Sequence, residues 1–278
     1  MTEFYTLKDG LSLPKIGFGT SGFRGTKAVA AISSAITKGY RLIDTAYNYE
    51  NEGTVGQAIK KAKIAREDLL ISSKLPGRYH KHDLAIQAIQ ESLYRADLDY
   101  FDLYLIHWPN PKQGEYLEAW QALIDAQKFG LVRSIGVSNF LPEHLDQLEK
   151  EIGILPVVNQ IELHPLFSQP SQRAYHEEHG ILTEAWSPLG GHGHNILELP
   201  LIQQLAKKYN KNAGQIVLRW ETQLGVLPLP LSQNPQRQLS NLDIFDFELT
   251  RDEIKQIESL DIADGRVTNQ DPRTHEEL

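Results

Sequence analysis

The run Asp102-Leu-Tyr-Leu-Ile-His107 is largely apolar and ends on a histidine, and two earlier runs have the same design. Arg41-Leu-Ile-Asp44 ends on a carboxylate, and Leu69-Leu-Ile-Ser-Ser-Lys74 ends on an amine. Short apolar runs are typical of strands that are buried on both faces of a parallel sheet. A polar residue that ends such a strand faces the mouth of the sheet, where a closed barrel builds its active site. The three runs therefore predict a barrel with a site at the ends of its strands.

Eight strand candidates alternate with helical patterns along the chain. The strands are predicted at residues 15–20, 41–44, 69–74, 102–108, 132–137, 157–162, 182–186 and 226–231. Helices are predicted at residues 27–38, 52–62, 83–96, 116–129, 142–150, 172–179 and 213–223, with extra helices at 197–209 and 252–260. No Gly-, Pro- or Ser-rich linker divides the pattern. We therefore expect an α/β fold, one (β/α)8 TIM barrel domain over residues 1–278. An N-terminal β-hairpin is expected at residues 4–13, with a type I′ turn at Asp9-Gly10.

Composition excludes several classes of function. The 278 residues carry a net charge of −8, whereas binding to a nucleic-acid backbone needs a basic surface. The absence of cysteine excludes disulfides, thiolate catalysis and cysteine-bound metals, and it fits a reducing compartment. No export signal and no apolar stretch of ~18 residues is visible. The sequence predicts a cytoplasmic protein without a nucleic-acid or membrane partner.

The first loop contains a motif that suggests a different fold. Gly17-Phe-Gly19-Thr-Ser-Gly22 matches the dinucleotide fingerprint G-x-G-x-x-G, and Asp44 lies where the ribose-binding acid would be expected. However, four residues separate Gly22 from the predicted helix, so the helix N-terminus is badly placed for a pyrophosphate. A Rossmann fold also gives no reason for polar residues to recur at later strand ends. The barrel interpretation, in which Gly17 and Gly19 allow close packing, is preferred.

The strand-end residues and Tyr49 form a set that can give a proton to a carbonyl oxygen without a metal. A tyrosine phenol has a pKa near ~10, and a cation at ~4 Å with an effective dielectric of ~20 attracts the phenolate by ~4 kcal/mol. Lys74 can supply that cation and thereby lower the pKa of Tyr49, while Asp44 keeps Lys74 charged. His107 can polarise or orient the carbonyl. We predict that Tyr49 is the general acid, with Asp44, Lys74 and His107 as its catalytic partners.

Each of these signals has an ordinary explanation when taken alone. A strand-end Asp or Lys is most often a solvated loop residue, and a histidine after an apolar run is more often structural. Tyr47 is a second candidate for the phenol. Two other activities stay open: a non-enzymatic cofactor-binding subunit, and a barrel aldolase or isomerase that uses Lys74 as a Schiff base.

Two histidine pairs raise the question of a metal. His192-Gly-His194 and His80-Lys-His82 each lack a third ligand at a recognisable spacing. No metal site is therefore predicted.

Several longer segments resemble the aldo-keto reductases, most closely the bacterial members related to 2,5-diketogluconate reductases. The resemblance runs from about Leu13 to Arg266. It is carried by residues 39–46 (GYRLIDTA), 51–56 (NEGTVG), 102–109 (DLYLIHWP), 135–140 (IGVSNF), 159–165 (NQIELHP) and 241–249 (NLDIFDFEL). It implies a TIM barrel with the catalytic tetrad Asp44, Tyr49, Lys74 and His107.

The resemblance also implies a nicotinamide cofactor that lies extended across the barrel mouth. Ser138, Asn139 and Gln160 match positions that hydrogen-bond the carboxamide, Trp186 matches the aromatic that stacks on the nicotinamide, and Asn241 matches an adenine contact. The full set of implied cofactor-binding residues is Gly19, Thr20, Asp44, Ser138, Asn139, Gln160, Trp186, Ser187, Leu189, Ser232, Arg237 and Asn241.

The chain departs from the family pattern at the cofactor's 2′-phosphate. The family commonly has Ile-Pro-Lys-Ser after the eighth strand, whereas this chain has Leu229-Pro-Leu-Ser232, so Leu231 replaces the Lys. Arg237 remains as a bidentate partner for a phosphate. We therefore expect NADPH, with NADH use possible because Leu231 replaces the usual Lys.

The expected partner is a small-molecule carbonyl substrate, bound by a protein that is a monomer. The substrate pocket is expected to be lined by Phe23, Tyr47, Tyr49, His107 and Trp108. A short tail after the last predicted helix leads us to expect an open pocket.

Overall fold

An antiparallel hairpin precedes the main sheet. In the computed structural model, which describes residues 3–191 and 193–277, β1 (Phe4–Thr6) pairs with β2 (Ser12–Pro14). The hairpin prediction is confirmed, but the type I′ turn is wrong. Gly10 has a φ of +93°, whereas Asp9 is not among the residues with positive φ. Type I′ needs positive φ at both central residues, so the glycine alone supplies the left-handed position of a longer loop.

Eight parallel strands follow and pair in chain order. They are β3 (Phe18–Gly19), β4 (Leu42–Asp44), β5 (Leu70–Leu75), β6 (Phe101–Ile106), β7 (Val132–Ser138), β8 (Val158–Glu162), β9 (Leu182–Trp186) and β10 (Leu227–Pro228). The first and last strands close the barrel, since Gly17 N–H donates to Pro228 O at 3.0 Å and Gly19 N–H to Pro230 O at 3.1 Å. The barrel prediction is confirmed. The strands at this seam are shorter than predicted because proline has no N–H to donate to a ladder.

The described residues form ten α-helices, nine of them predicted to within a few residues. They are α1 (Gly25–Lys38), α2 (Glu52–Ala62), α3 (His82–Ala96), α4 (Tyr116–Lys128), α5 (Pro142–Ile152), α6 (Pro170–Glu178), α7 (Pro200–Tyr209), α8 (Ala213–Gln223), α9 (Pro235–Leu242) and α10 (Arg251–Glu258). The missed helix is α9. Its signal is Asn234-Pro235: the Asn234 side chain accepts from the N–H groups of Gln236 and Arg237, and proline occupies the first helical position. No described helix is long and apolar enough to span a membrane.

Alternation along the strands places the site. The barrel interior is packed with leucine and valine side chains, including Leu42, Leu103 and Leu105, and the hairpin covers its lower end. Because side chains alternate across a strand, Asp44 shares the inward face of β4 with Leu42. In the β5–β6 register Lys74 is paired with Leu105. The carboxylate and the amine therefore border the leucine layer, at the mouth.

The glycines of the apparent dinucleotide motif are packing residues. A Cβ at Gly17 would stand 2.5 Å from Leu229 Cδ2, and one at Gly19 would stand 3.0 Å from Leu229 O. The helix α1 begins only at Gly25. The two glycines therefore permit close approach of the first and last strands, and the rejection of a Rossmann fold is confirmed.

Gly56 offers a test of helix packing against the barrel's outer layer. A Cβ at Gly56 would stand 2.0 Å from Ala96 O, which is backbone and has little freedom to move, whereas one at Gly53 in the same helix would stand 3.2 Å from Arg95 O. We expect Gly56→Ala to lower the free energy of unfolding by ~1–3 kcal/mol. Gly53→Ala is the control, because alanine stabilises a helix relative to glycine by up to ~1 kcal/mol at such a position. Thermal and denaturant unfolding measure both, and a Gly56→Ala variant as stable as Gly53→Ala would contradict the packing argument.

Candidate active site

A buried ion pair forms the floor of the site. Lys74 Nζ donates to Asp44 Oδ1 at 2.8 Å, to Asp44 Oδ2 at 2.7 Å and to Thr45 O at 2.8 Å. Both side chains are almost fully shielded from solvent. Burial by itself would lower the pKa of Lys74, but Asp44 and Tyr49 outweigh it and the pKa lies above its ordinary value. Lys74 is therefore held as a cation.

Tyr49 lies next to this cation at the end of a short 3-10 turn, Tyr47–Tyr49. Lys74 Nζ is 5.0 Å from the centroid of its ring. Burial raises the pKa of Tyr49 above its ordinary value, and the lowering effect of Lys74 does not cancel it. The expectation of a lowered pKa is thus wrong for this state of the protein, because desolvation of the phenolate exceeds the attraction of the cation. The phenol holds its proton at neutral pH.

His107 follows β6 and packs edge-on against Tyr49. The two ring centroids are 5.8 Å apart and the ring planes meet at 76°. The His107 backbone is fixed on both sides, since its N–H donates to Leu75 O at 3.0 Å and its carbonyl accepts from Asn139 Nδ2 at 2.9 Å. The structure thus brings the phenol and the imidazole of the predicted tetrad to one point, above the Asp44–Lys74 pair.

The predicted carboxamide-binding residues lie beside the tetrad. Ser138 Oγ donates to Gln160 O at 2.8 Å, and Trp186 Nε1 donates to Asn139 Oδ1 at 2.8 Å. Gln160 Nε2 donates to Asp44 Oδ1 at 3.0 Å. Since this amide nitrogen is engaged by the protein, the amide oxygen of Gln160 is the group that can accept from a ligand. A shallow cleft adjoins Asn139 and Trp186.

The other predicted cofactor residues lie along the seam and around α9. Thr20 Oγ1 donates to Asp44 O at 2.8 Å, next to Gly19. Ser187 has a φ of +51° and its carbonyl accepts from Gly190 N–H at 2.9 Å, which turns the chain after β9. A Cβ at Gly214 would stand 3.8 Å from Leu189 and 3.9 Å from Asn241, so those two residues share a surface.

The residues predicted for the 2′-phosphate end surround the start of α9. Ser232 Oγ accepts from Asn234 N–H at 3.1 Å just before the helix. Arg237 is exposed in the first turns of α9. Its guanidinium forms no ion pair with any residue that the structure describes. Leu231, which stands where the family commonly has a Lys, is 48% exposed, so an apolar side chain faces solvent at this position.

The predicted substrate residues are in different places. Trp108 is at the mouth, with its ring 4.4 Å from that of His275. Phe23 is buried with its ring 5.9 Å from that of Phe18. The Tyr47 hydroxyl accepts from Arg95 at 3.0 Å on the outer helix layer. Tyr49 packs against His107, and Trp108 follows His107 in the chain, whereas the ring contact of Phe23 and the hydroxyl contact of Tyr47 lie elsewhere.

Two acidic residues of the site were missed by sequence reasoning. Glu277 Oε1 lies 2.7 Å from His107 Nδ1, so the tail covers this side of the mouth and the expected open pocket is wrong. Nothing in the sequence pattern indicated that contact. Glu184 lies two residues before Trp186 on β9, and its Oε2 accepts from Gln160 Nε2 at 2.9 Å. A lone acid inside the apolar run 182–186 was the available signal.

The histidine pairs give no metal cluster in the described part of the chain. No group of three His, Asp or Glu side chains there could hold an ion. His80 is fully buried, and burial lowers its pKa to about 4. His192 lies outside the described residues.

Comparison with known proteins agrees with this geometry. The profile of the Aldo/keto reductase family matches residues 15–262. The chain belongs to the aldo/keto reductase family. As a member of that family it is an oxidoreductase that reduces aldehydes and ketones to alcohols with a nicotinamide cofactor.

Similar proteins of this family cover the chain almost completely. It is 49% identical to 2,5-diketo-D-gluconic acid reductase B of Corynebacterium sp. (strain SHS752001) over 273 residues, 98% of both chains. It is 44% identical to methylglyoxal reductase DkgA of Escherichia coli (strain K12) over 241 residues, 87% of both chains.

Two solved structures show the same fold with a bound cofactor. A mutant of Gox0644 in complex with NADPH has a TM-score of 0.94 at 39% identity and 99% coverage of both chains. A Bombyx mori aldo-keto reductase in complex with NADP has a TM-score of 0.90 at 37% identity, covering 97% of this chain and 95% of that one.

Glu184 predicts a pH dependence of stability for this aldo/keto reductase. Burial, with a smaller contribution from Asp44, raises the pKa of Glu184 from 4.5 to about 7. Between those values the folded state binds a proton that the unfolded state has lost, so stability falls as pH rises, by up to ~1.4 kcal/mol per pH unit. Glu184→Gln keeps the acceptor for Gln160 without this titration. We expect the variant and the wild type to unfold alike near pH 4.5 and the variant to gain relative stability toward pH 7. Denaturant midpoints across this range give the comparison, and parallel curves would contradict the assignment.

Proposed function

We propose that this protein reduces small aldehydes and ketones with NADPH and that Tyr49 gives the carbonyl oxygen its proton. The observation that carries the proposal is the arrangement of Tyr49 between the Lys74 ammonium and the His107 ring. The groups beside it suit a nicotinamide: the side-chain oxygens of Ser138, Asn139 and Gln160 can accept from a carboxamide N–H, and Trp186 has a flat ring. When bound, the reduced nicotinamide supplies a hydride to the carbonyl carbon.

Residues of the chain supply the proton, and they also stabilise the negative charge that remains on Tyr49 after the proton has left. Tyr49 stays protonated at neutral pH because burial raises its pKa. Once the proton has moved to the substrate oxygen, the phenolate lies beside Lys74, which two oxygens of Asp44 and the carbonyl of Thr45 hold in place. A fixed cation in a site of low polarity stabilises the developing anion without reorganisation. His107 orients the carbonyl oxygen toward the phenol.

The same contacts argue against a Schiff-base mechanism. A lysine nucleophile must be neutral and free of a carboxylate. Lys74 instead donates to both oxygens of Asp44, and its pKa lies above the ordinary value. A reductase therefore fits Lys74 better than an aldolase.

Relatives and charge support the choice of cofactor and substrate class. Two structural relatives carry NADPH or NADP, and Arg237 offers a fork for a phosphate. Leu231 removes one cation from that end, so we propose that NADH is also accepted.

Relatives named for 2,5-diketo-D-gluconic acid and methylglyoxal favour small polar carbonyl compounds as substrates. We propose further that the protein is a monomer of one domain, and that it is cytoplasmic, which is in keeping with the absence of cysteine.

Tyr49→Phe tests the general acid. The change removes one hydroxyl, so we expect kcat for aldehyde reduction to fall by ~10²–10⁴-fold while cofactor binding persists. The measurement is loss of absorbance of the reduced nicotinamide, with cofactor binding followed by fluorescence. Tyr47→Phe is the matched control because its hydroxyl contacts Arg95. Equal losses in the two variants would refute the assignment of Tyr49.

Leu231→Lys tests the cofactor assignment. A new cation beside Arg237 should attract the 2′-phosphate, and we expect the NADPH/NADH ratio of kcat/KM to rise about tenfold, equivalent to ~1.4 kcal/mol. Leu239→Lys is the control, since Leu239 is 50% exposed on α9 but lies two residues from Arg237 and thus on a different face. An unchanged ratio in Leu231→Lys, or an equal rise in both variants, would place cofactor selection elsewhere.

A further inference from the structure

The tail residues 271–277 form part of the barrel mouth. A turn begins at Asp271, whose carbonyl accepts from Thr274 N–H at 2.9 Å and from His275 N–H at 2.7 Å. The His275 ring then packs edge-on against Trp108. This segment brings Glu277 to the tetrad from a part of the chain far from the strands.

The backbone of Glu277 is clamped by a single side chain. Glu277 N–H donates to Asn110 Oδ1 at 3.0 Å, and Asn110 Nδ2 donates to Glu277 O at 2.7 Å. Asn110 is itself buried with a φ of +46°. A Cβ at Gly77 would stand 2.5 Å from Glu277 O, so the loop after β5 is shaped to admit this residue. The position of Glu277 is thus fixed by the fold.

The carboxylate of Glu277 faces three groups at the mouth. Its Oε1 lies 2.7 Å from His107 Nδ1, away from the line of an Nδ1–H bond, and accepts from Asn48 Nδ2 at 2.7 Å. Its Oε2 accepts from Gly77 N–H at 3.3 Å. His107 is the main group that lowers the pKa of Glu277 against the opposing effect of burial. The side chain is therefore an anion that lies against one particular nitrogen of the catalytic imidazole.

We propose that Glu277 is a positioning residue that keeps the Nδ1 atom of His107 protonated and leaves Nε2 for the substrate oxygen. An anionic oxygen 2.7 Å from Nδ1 repels a lone pair on that nitrogen and attracts a proton, so the carboxylate favours the tautomer that carries its proton there. A carboxylate that holds a histidine by one nitrogen also fixes its ring orientation. The inference deepens the proposed function and rests on it.

This arrangement determines when the His107 ring can donate a hydrogen bond to the substrate. With Nδ1 always protonated, Nε2 carries a proton only when the ring is an imidazolium. His107 can then donate to a carbonyl oxygen only in its charged form. Without the carboxylate, a neutral ring with its proton on Nε2 could donate equally well. Glu277 therefore makes carbonyl reduction depend on a charged imidazole. The titratable groups next to the His107–Glu277 pair are Tyr49, His80 and His275, and the charged groups that act on these neighbours are Asp44, Lys74, Glu115 and Glu276.

Glu277→Gln tests the proposal in the 278-residue protein. Two readouts are compared with the wild type: the ¹⁵N NMR shifts of the His107 ring at alkaline pH, assigned with His107→Gln, and kcat/KM for an aldehyde at pH 6 and pH 9. We expect a neutral Nδ1–H ring in the wild type and an Nε2–H ring in the variant. We also expect the pH 6 to pH 9 ratio of kcat/KM to shrink at least about fivefold in the variant, since its ring can donate while neutral.

Glu276→Gln is the matched control. Glu276 holds the tail by accepting from the N–H groups of Lys112 and Gln113 at 2.8 and 3.4 Å, and makes no contact with His107 within the described residues. We expect it to keep the wild-type tautomer and pH ratio. An unchanged tautomer or an unchanged ratio in Glu277→Gln would overturn the proposal, as would an equal change in Glu276→Gln. A wild type without turnover would refute the proposed function, and the NMR comparison would still decide the role of Glu277.

Discussion

The buried ion pair between Asp44 and Lys74 is the interaction on which the rest of the site depends. Neither charge could remain at the top of a leucine-packed barrel without the other, because burying a lone ion costs several kcal/mol. Paired, they let Lys74 stay charged beside Tyr49. Asp44 Oδ1 also accepts from Ser72 at 2.9 Å and from Gln160 at 3.0 Å. One carboxylate therefore joins strands β4, β5 and β8 and fixes the charge that the phenol requires.

A second carboxyl group extends this network toward β9. The amide nitrogen of Gln160 donates hydrogen bonds to both Asp44 and Glu184, so one neutral group lies between the two acids. Two adjacent buried carboxylates would repel, and the upward shift of the Glu184 pKa relieves this by keeping its proton longer. Strands β8 and β9 thereby place the predicted nicotinamide-binding residues on the same hydrogen-bond network as the Asp44–Lys74 pair.

The repeating strand ends made the barrel, and the meeting of three polar side chains at its mouth, predictable from sequence. Asp44, Lys74 and His107 each terminate an apolar run, and parallel strands of a barrel deliver such residues to one mouth. What the pattern could not give is the balance between opposing effects at Tyr49, since desolvation depends on how the site is enclosed. The contact of Glu277 with His107 was also out of reach, because a tail without periodicity carries no information about where it docks. The helix α9 was missed although Asn234-Pro235 marks its start.

Closure of the barrel joins the first strand to the last, and the ribosome synthesises these two parts of the chain at widely separated times. Gly17 and Gly19 at the first strand bond to Pro228 and Pro230 at the last. A chain emerging from the ribosome therefore keeps the edge of β3 unpaired during most of its synthesis. Open strand edges invite pairing with other chains, and contacts of long sequence separation form slowly. The short β3, with only two residues, and the prolines at the opposite edge leave few free N–H groups for a wrong partner while the growing sheet waits for its last strand.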